Sequence, residues 1–103
     1  MIGRIWRTQV TLARADEYEA FARNVSLPMF RRQQGFAGVV MMRRDEECLV
    51  ITFWRSADDI AALDHSPSYK ETVQKITAQG FLFGEQTVDS YDAHLVAVDG
   101  LAV

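Results

Sequence analysis

Hydrophobic and polar positions follow two different periods along the chain, and the changes of period mark six elements. Four segments are rich in β-branched and aromatic residues, as strands are. Between the first two and again between the last two, apolar side chains recur at helical spacing. The order is therefore β-α-β-β-α-β, with strands predicted at Ile2–Leu12, Phe36–Arg43, Leu49–Trp54 and Gln86–Val98.

Capping and helix-breaking residues bound the first helical region. Asp16 followed three positions later by Glu19 fits an N-terminal capping pair. Pro28 lacks an N–H and crowds the preceding turn, so it is expected to kink or end this helix. Gly35 is a suitable stop before the second strand.

The second helical region is predicted in two pieces. Ser56 with Asp59 forms another capping pair, and Ser66-Pro67 restarts a helix with proline in its tolerated first turn. Gly80 is predicted to end the second helical region. Together with a hairpin turn between the two central strands, this order predicts one ferredoxin-like α+β domain over residues 1–103. Its four-stranded antiparallel sheet would carry both helical regions on one face.

The second strand is apolar on both of its faces, which predicts a covered second sheet face. A sheet with one face in water alternates apolar and polar residues. Here period-two counting finds no polar face, and a second subunit is the simplest cover. The eleven aromatic residues of the 103-residue chain also exceed what one small core needs. The two counted faces are Phe36, Gly38, Val40 and Met42, and Ala37, Val39 and Met41.

Composition narrows the class of partner and the compartment. The net charge of −3 argues against nucleic-acid binding, although the first half of the chain is basic and the second acidic. Cys48 is the single cysteine, so no internal disulfide can form. Arg4 and Arg7 interrupt the apolar N-terminal stretch, so no signal peptide or membrane span is expected. A cytoplasmic protein is predicted.

Three stretches resemble the antibiotic biosynthesis monooxygenase (ABM) domain superfamily. They are the turn Gln34-Gly35-Phe36, the strand-to-helix segment 49–56 with its terminal Trp54, and the segment 65–69. The resemblance implies a homodimer whose two sheets pack face to face into an α/β barrel, with a pocket between the sheet and helices of each subunit. Some members of this superfamily oxygenate polycyclic aromatic substrates without metal or flavin, others degrade heme, others act on signalling molecules, and many have no assigned reaction.

The heme-degrading branch does not fit this chain. Its members pair a first-strand Asn with a Trp and an axial His in the second helical region. Counted from Trp54, the latter two positions fall on Leu63 and Thr72, and the only asparagine is Asn24 in the first helix. The heme ligand is therefore missing from the sequence.

His65 is the first candidate for a catalytic base. It lies in the break between two helical pieces, where a side chain can reach a pocket mouth, and histidine suits proton abstraction near neutral pH. The alternative is a loop histidine that caps a helix or meets solvent. Tyr69 and Arg7 are the further candidates to assist deprotonation and stabilise negative charge, although Tyr69 also falls on the inward helix stripe.

Three aromatic residues are the candidate walls of a substrate pocket: Trp6, Trp54 and Phe53. Trp6 shares a strand face with Arg4, a composition that is unusual for a core and fits an indole stacking on a planar substrate. Burial in the core or an interface is the alternative for Trp6. Trp54 can instead anchor the second helical region. His94, near the end of the last strand, is expected to be exposed.

Two function classes remain open. No metal-ligand spacing and no glycine-rich phosphate loop is present, so no metal or organic cofactor is predicted. The first hypothesis is a cofactor-independent monooxygenase acting on a small planar aromatic or quinol-like molecule. The second is a non-catalytic dimeric protein that binds a small apolar or aromatic molecule in the same pocket. Redox sensing through Cys48 is disfavoured by the neighbouring acids.

Overall fold

The computed structural model describes residues 1–101 and contains one four-stranded antiparallel sheet. The strands lie in the order β2-β3-β1-β4, and both helical regions pack on one face. This confirms the predicted ferredoxin-like α+β fold. Residues 1–101 contain no helix that is long and apolar enough to cross a membrane. The strands are β1 (Ile2–Val10), β2 (Phe36–Arg44), β3 (Glu47–Trp54) and β4 (Leu82–Asp92).

The first helical region begins and continues differently from the prediction. A short 3-10 turn precedes α1 (Ala15–Phe21), whose N-cap residue makes no side-chain capping bond, so the expected Asp16–Glu19 cap does not form. A π-helical segment, Ala22–Ser26, then leads into α2 (Leu27–Arg31). Pro28 does not end the helix, because it lies in the first turn of α2.

Both predicted serine caps of the second helical region are confirmed. Helix α3 (Ala57–Asp64) begins after Ser56, whose Oγ accepts from the backbone N–H of Asp59 at 3.3 Å. Helix α4 (Pro67–Ala78) begins after Ser66, whose Oγ accepts from the backbone N–H of Tyr69 at 3.4 Å. Each bond satisfies a helix N–H that has no partner within the helix.

A β-bulge in β2 changes which side chains share a face. Phe36 pairs with Trp54, but Gly38 pairs with the adjacent Phe53, so Ala37 is an extra residue. Strict alternation placed Phe36 with Val40; that prediction was wrong, because the bulge shifts the phase by one residue. Phe36 instead faces the helices, where its ring stacks on Phe30 with centroids 5.9 Å apart.

Strand β4 is also displaced from its predicted range. It starts at Leu82 and ends at Asp92, rather than running from Gln86 to Val98. Its pairing with β1 shifts register between Arg7 and Gln9, close to Gly84, whose φ is +75°. His94 lies beyond the strand and is exposed, as expected.

Two apolar clusters between the sheet and the helices form the core. The first surrounds Trp54, which is completely buried against Phe30 and Leu63. The second surrounds Phe81, whose ring meets the Tyr18 ring edge-to-face at 6.0 Å. We call the other side of the sheet, away from the helices, the open face.

Candidate functional site

A cavity of about 190 Å³ lies between the sheet and the helices. An apolar cavity of roughly 150 Å³ accommodates benzene, so this one suits a ligand with one ring or two fused rings. All four strands and both helical regions contribute to its walls. The lining includes Arg4, Trp6, Tyr18, Ala22, Ser26, Met29, Met41, Val50, Tyr69, Ile76, Gln86 and Val88.

A polar pair projects into this largely apolar space. Arg4 of β1 donates from Nη2 to the Tyr69 hydroxyl of α4 at 3.0 Å. The guanidinium carbon also lies 5.6 Å from the centroid of the Tyr69 ring, within the range of a cation–π contact. Because the Tyr69 oxygen accepts from Arg4, its own O–H remains available to a ligand.

Trp6 of β1 supplies a flat surface in the cavity wall, on the side next to β4. Its indole Nε1 donates to Oε1 of Gln86 on the neighbouring β4 at 3.3 Å. This bond orients the ring along the sheet, and the side chain is half-buried at the cavity wall. A planar apolar ligand could therefore stack on it.

The structure brings two of the six sequence-predicted site residues to the cavity, Trp6 and Tyr69. His65 is the exposed C-terminal cap residue of α3 and does not line the cavity. Arg7 lies on the open face, where its Nη1 is 3.1 Å from Oδ2 of Asp89.

The other two aromatic candidates lie elsewhere as well. Phe53 is on the open face, above the glycines with which it pairs on both sides, Gly3 and Gly38. Trp54 faces the helices but is sealed in the core, where its Nε1 donates to Oγ1 of Thr52 at 2.8 Å. Its position matches the alternative interpretation of this residue as an anchor for the second helical region.

Several lining residues had no clear sequence signal. Gln86 and Val88 belong to a strand face that reads as polar and exposed, and only the register with β1 places them over the cavity. Ala22 and Ser26 line it from the π-helical segment, which periodicity did not indicate. Arg4 did have a signal, since it shares the face of Trp6 by period-two alternation.

Two buried groups beside the cavity are held in their protonated forms. Burial, followed by the neighbouring Cys48, raises the pKa of Tyr18 far above its ordinary value. Burial likewise raises the pKa of the Cys48 thiol. Neither group can therefore act as a base at neutral pH. Within residues 1–101, no three His, Cys, Asp or Glu side chains are grouped to hold a metal ion.

Comparison with solved structures finds the same fold in several proteins of low sequence identity. SnoaB, a cofactor-independent oxygenase from Streptomyces nogalater, is 20% identical with a TM-score of 0.73, over 95% of this chain and 97% of that one. The ActVA-Orf6 monooxygenase from Streptomyces coelicolor, in complex with nanaomycin D, is 13% identical with a TM-score of 0.79, over 96% and 92%. A conserved protein from Methanosarcina mazei is 14% identical with a TM-score of 0.73, over 87% and 89%.

The sequence comparisons give the family. A search of curated proteins finds no match. The family model for antibiotic biosynthesis monooxygenase matches residues 1–75, which include β1 to β3 and the Arg4–Tyr69 pair. This confirms the resemblance found in the turn before β2, in the end of β3 and in the segment before α4. The chain therefore belongs to the antibiotic biosynthesis monooxygenase family.

Proposed function

We propose that the protein is a cofactor-independent monooxygenase that oxidises a small planar aromatic or quinol-like molecule in the cavity between its sheet and helices. The observation that carries this proposal is the combination of a flat apolar wall at Trp6 with the Arg4–Tyr69 pair in one cavity. The oxygenases among its structural relatives support the reaction class. The cavity volume supports a substrate of one or two rings.

The protein need not supply a redox cofactor for this reaction, because the substrate itself donates the electrons to dioxygen. An activated CH₂ next to an aromatic ring loses a proton to a solvent molecule at the cavity mouth and forms a stabilised carbanion, which transfers an electron to dioxygen. Recombination forms a C–O bond to a peroxide, and loss of the second C–H with cleavage of the O–O bond gives a ketone and water. One oxygen atom enters the product and the other leaves as water, so no external reductant is needed.

Tyr69 is the residue that we expect to interact with the reacting oxygen. Its hydroxyl is held by Arg4 at 3.0 Å, and its free O–H can donate to a developing negative charge on the substrate. The positive charge of Arg4 favours the same anionic form. Trp6 and the surrounding apolar side chains would exclude water from the carbanion.

Oxygen uptake and isotope incorporation test the proposal. The purified protein is mixed with 2-tetralone and 2-indanone, two-ring aromatic ketones that bear an activated CH₂, under ¹⁸O₂. We expect one ¹⁸O atom per product molecule, and a rate reduced at least tenfold in Tyr69→Phe. His65→Ala, an exposed change outside the cavity, serves as the control and should leave the rate unchanged. Absence of turnover above the buffer rate across the panel would reject catalysis.

One observation favours a second candidate function, ligand binding without chemistry. The cavity lining contains no His, Asp or Glu, the side chains that most often act as general bases. A non-catalytic protein would bind the same aromatic molecules and return them unchanged. Thermal shift by the ligand with no oxygen consumption would identify this function.

We also propose a homodimer that forms through the open face. Val40 and Met42 are 42% and 48% exposed there, beside the apolar side chains of the neighbouring strand β3. Removing these side chains from water is the physical basis for association. The free, buried thiol of Cys48 supports a reducing location such as the cytoplasm. The apolar residues of this face are Ile5, Val40, Met42, Leu49, Ile51 and Phe53.

A further inference from the structure

Arg4 is a buried cation without a carboxylate partner in the part of the chain that the structure describes. Its residue exposure is 8%. Five ion pairs occur among residues 1–101, and all of them use other arginines or Lys75. A buried charge is costly unless it is paired, so an isolated one calls for an explanation.

The hydrogen bonds of the Arg4 guanidinium are also incomplete. Tyr69 accepts one of its five N–H donors. Among the described residues the guanidinium makes no other hydrogen bond. Within residues 1–101, one side-chain nitrogen or oxygen atom is fully buried and makes no hydrogen bond, and it is Oγ1 of Thr8 rather than a nitrogen of Arg4. The remaining Arg4 donors are therefore not sealed in protein, and Arg4 lines the cavity.

We propose that Arg4 and Tyr69 form an anion-recognition site, and that the cavity selects a one- or two-ring aromatic molecule that carries a negatively charged oxygen. The guanidinium supplies a planar fork of donors and the Tyr69 hydroxyl supplies another, while Trp6 contacts the ring. The ligand anion provides the missing partner of the buried cation. This inference deepens the function proposed above by naming its substrate class, and rests on it for the location of the site.

The anionic oxygen can come from a carboxylate or from an ionised phenol. Both present the same acceptor to Arg4, so matched pairs of probes distinguish them. The carboxylate pair is 2-naphthoate and the neutral 2-naphthamide, which have nearly the same shape. The phenolate pair is 4-nitrophenolate, at a pH above its own pKa, and the neutral 4-nitroanisole.

Binding titrations of the intact protein test the site, by calorimetry or by quenching of tryptophan fluorescence. We expect at least one anion to bind tenfold or more tightly than its neutral partner, and the preference to fall to about one in Arg4→Met. Arg7→Met is the matched control, since Arg7 lies on the same strand but on the open face. It should leave the preference unchanged.

Folding of the variant is measured in the same samples by circular dichroism and thermal unfolding. If Arg4→Met does not fold, Tyr69→Phe gives the test, because it removes the second donor and should reduce the preference severalfold. Equal binding of the anion and its neutral partner by the wild-type protein in both pairs overturns the proposal. So does a preference that survives both substitutions. Since binding is measured without turnover, absence of oxygenation would reject the monooxygenase function and leave this result standing.

Discussion

Gly35 occupies a position where the fold leaves no room for a side chain. It has a φ of +75°, and a Cβ at this position would overlap the carboxyl group of Asp59. That carboxylate accepts from Gln34 Nε2 at 2.8 Å and from Ser56 Oγ at 2.9 Å. These hydrogen bonds, that of Gln34 first, lower the pKa of Asp59 below its ordinary value. The turn before β2 and the start of α3 can therefore pack together because Gly35 has no side chain, which leaves space for the Asp59 carboxylate.

Substitution of this glycine should therefore be strongly destabilising. We expect Gly35→Ala to reduce the free energy of unfolding by about 3 kcal/mol, from a left-handed backbone plus overlap with Asp59. Gly80→Ala is the control, because Gly80 has a similar φ of +77° but only the end of the Arg14 side chain nearby. It should lose about 1 kcal/mol. Urea denaturation measures both, and equal losses would show that the contact with Asp59 is unimportant.

At the scale of single residues, the sequence indicates the direction of a side chain only where the period of its element is clear. Trp6 and Tyr69 lie on the inward faces of β1 and α4, and the structure places both at the cavity wall. Their roles in catalysis or binding stay predictions. Arg7 follows Trp6 directly in β1, so period-two alternation alone places the two side chains on opposite faces of the sheet. His65 lies between two helices, where no periodicity indicates the direction of its side chain. The structure places both outside the cavity.

Among the elements, α4 has the clearest local determinants of its start. Ser66 caps it, Pro67 occupies its first turn, and Ser66 Oγ lies 3.1 Å from Ser68 Oγ. Gln33 then donates from Nε2 to Ser68 Oγ at 2.9 Å, which ties the helix to the end of the first helical region. The same first turn holds Tyr69 at the cavity.

Removal of this cap should loosen α4. We expect Ser66→Ala to lower the free energy of unfolding by about 1 kcal/mol, because the Tyr69 backbone N–H loses its acceptor. Lys70→Ala, an exposed change in the same helix, should stay within about 0.5 kcal/mol of wild type. Thermal and urea unfolding provide the comparison. A Ser66→Ala loss no larger than that of Lys70→Ala would mean that the cap contributes nothing measurable.

The order and type of the elements were predictable, while two of their irregularities were not. Period-two and helical spacing located all six regions, and both serine caps were read correctly. The bulge at Ala37 and the early start of β4 depend on pairing with strands distant in the chain. No local pattern encodes such pairing, so the faces of β2 and the range of β4 were predicted wrongly.

For the molecule as a whole, the open face is the surface through which we propose that two copies associate. Its centre is apolar, and the Arg7–Asp89 ion pair lies toward β4. A second copy of this chain would cover Val40 and Met42 and bring the same face of its own sheet against them. Closed twofold pairing of one patch with itself is the commonest form of soluble oligomer.

A charge among the apolar side chains of that face should weaken the dimer. We expect Val40→Asp to raise the dimer dissociation constant at least tenfold, because it would bury two carboxylates without partners. Leu12→Asp is the control: Leu12 is 53% exposed but lies in the 3-10 turn before α1, off the sheet. Sedimentation equilibrium measures both. A wild-type protein that sediments as a monomer at all concentrations would exclude this interface.

The π-helical segment Ala22–Ser26 makes chain length, rather than residue identity, critical in a part of the surface. Arg23 and Asn24 are exposed there, and substituting either one removes no buried contact. Loss of one residue is different, because a π turn holds one residue more than an α turn, and a deletion would convert the segment into α-helix. Met29 and Phe30 would keep their place in the core, but the wall that Ala22 and Ser26 contribute to the cavity would change shape. The number of residues in this segment therefore matters more to the cavity than the identity of the exposed ones.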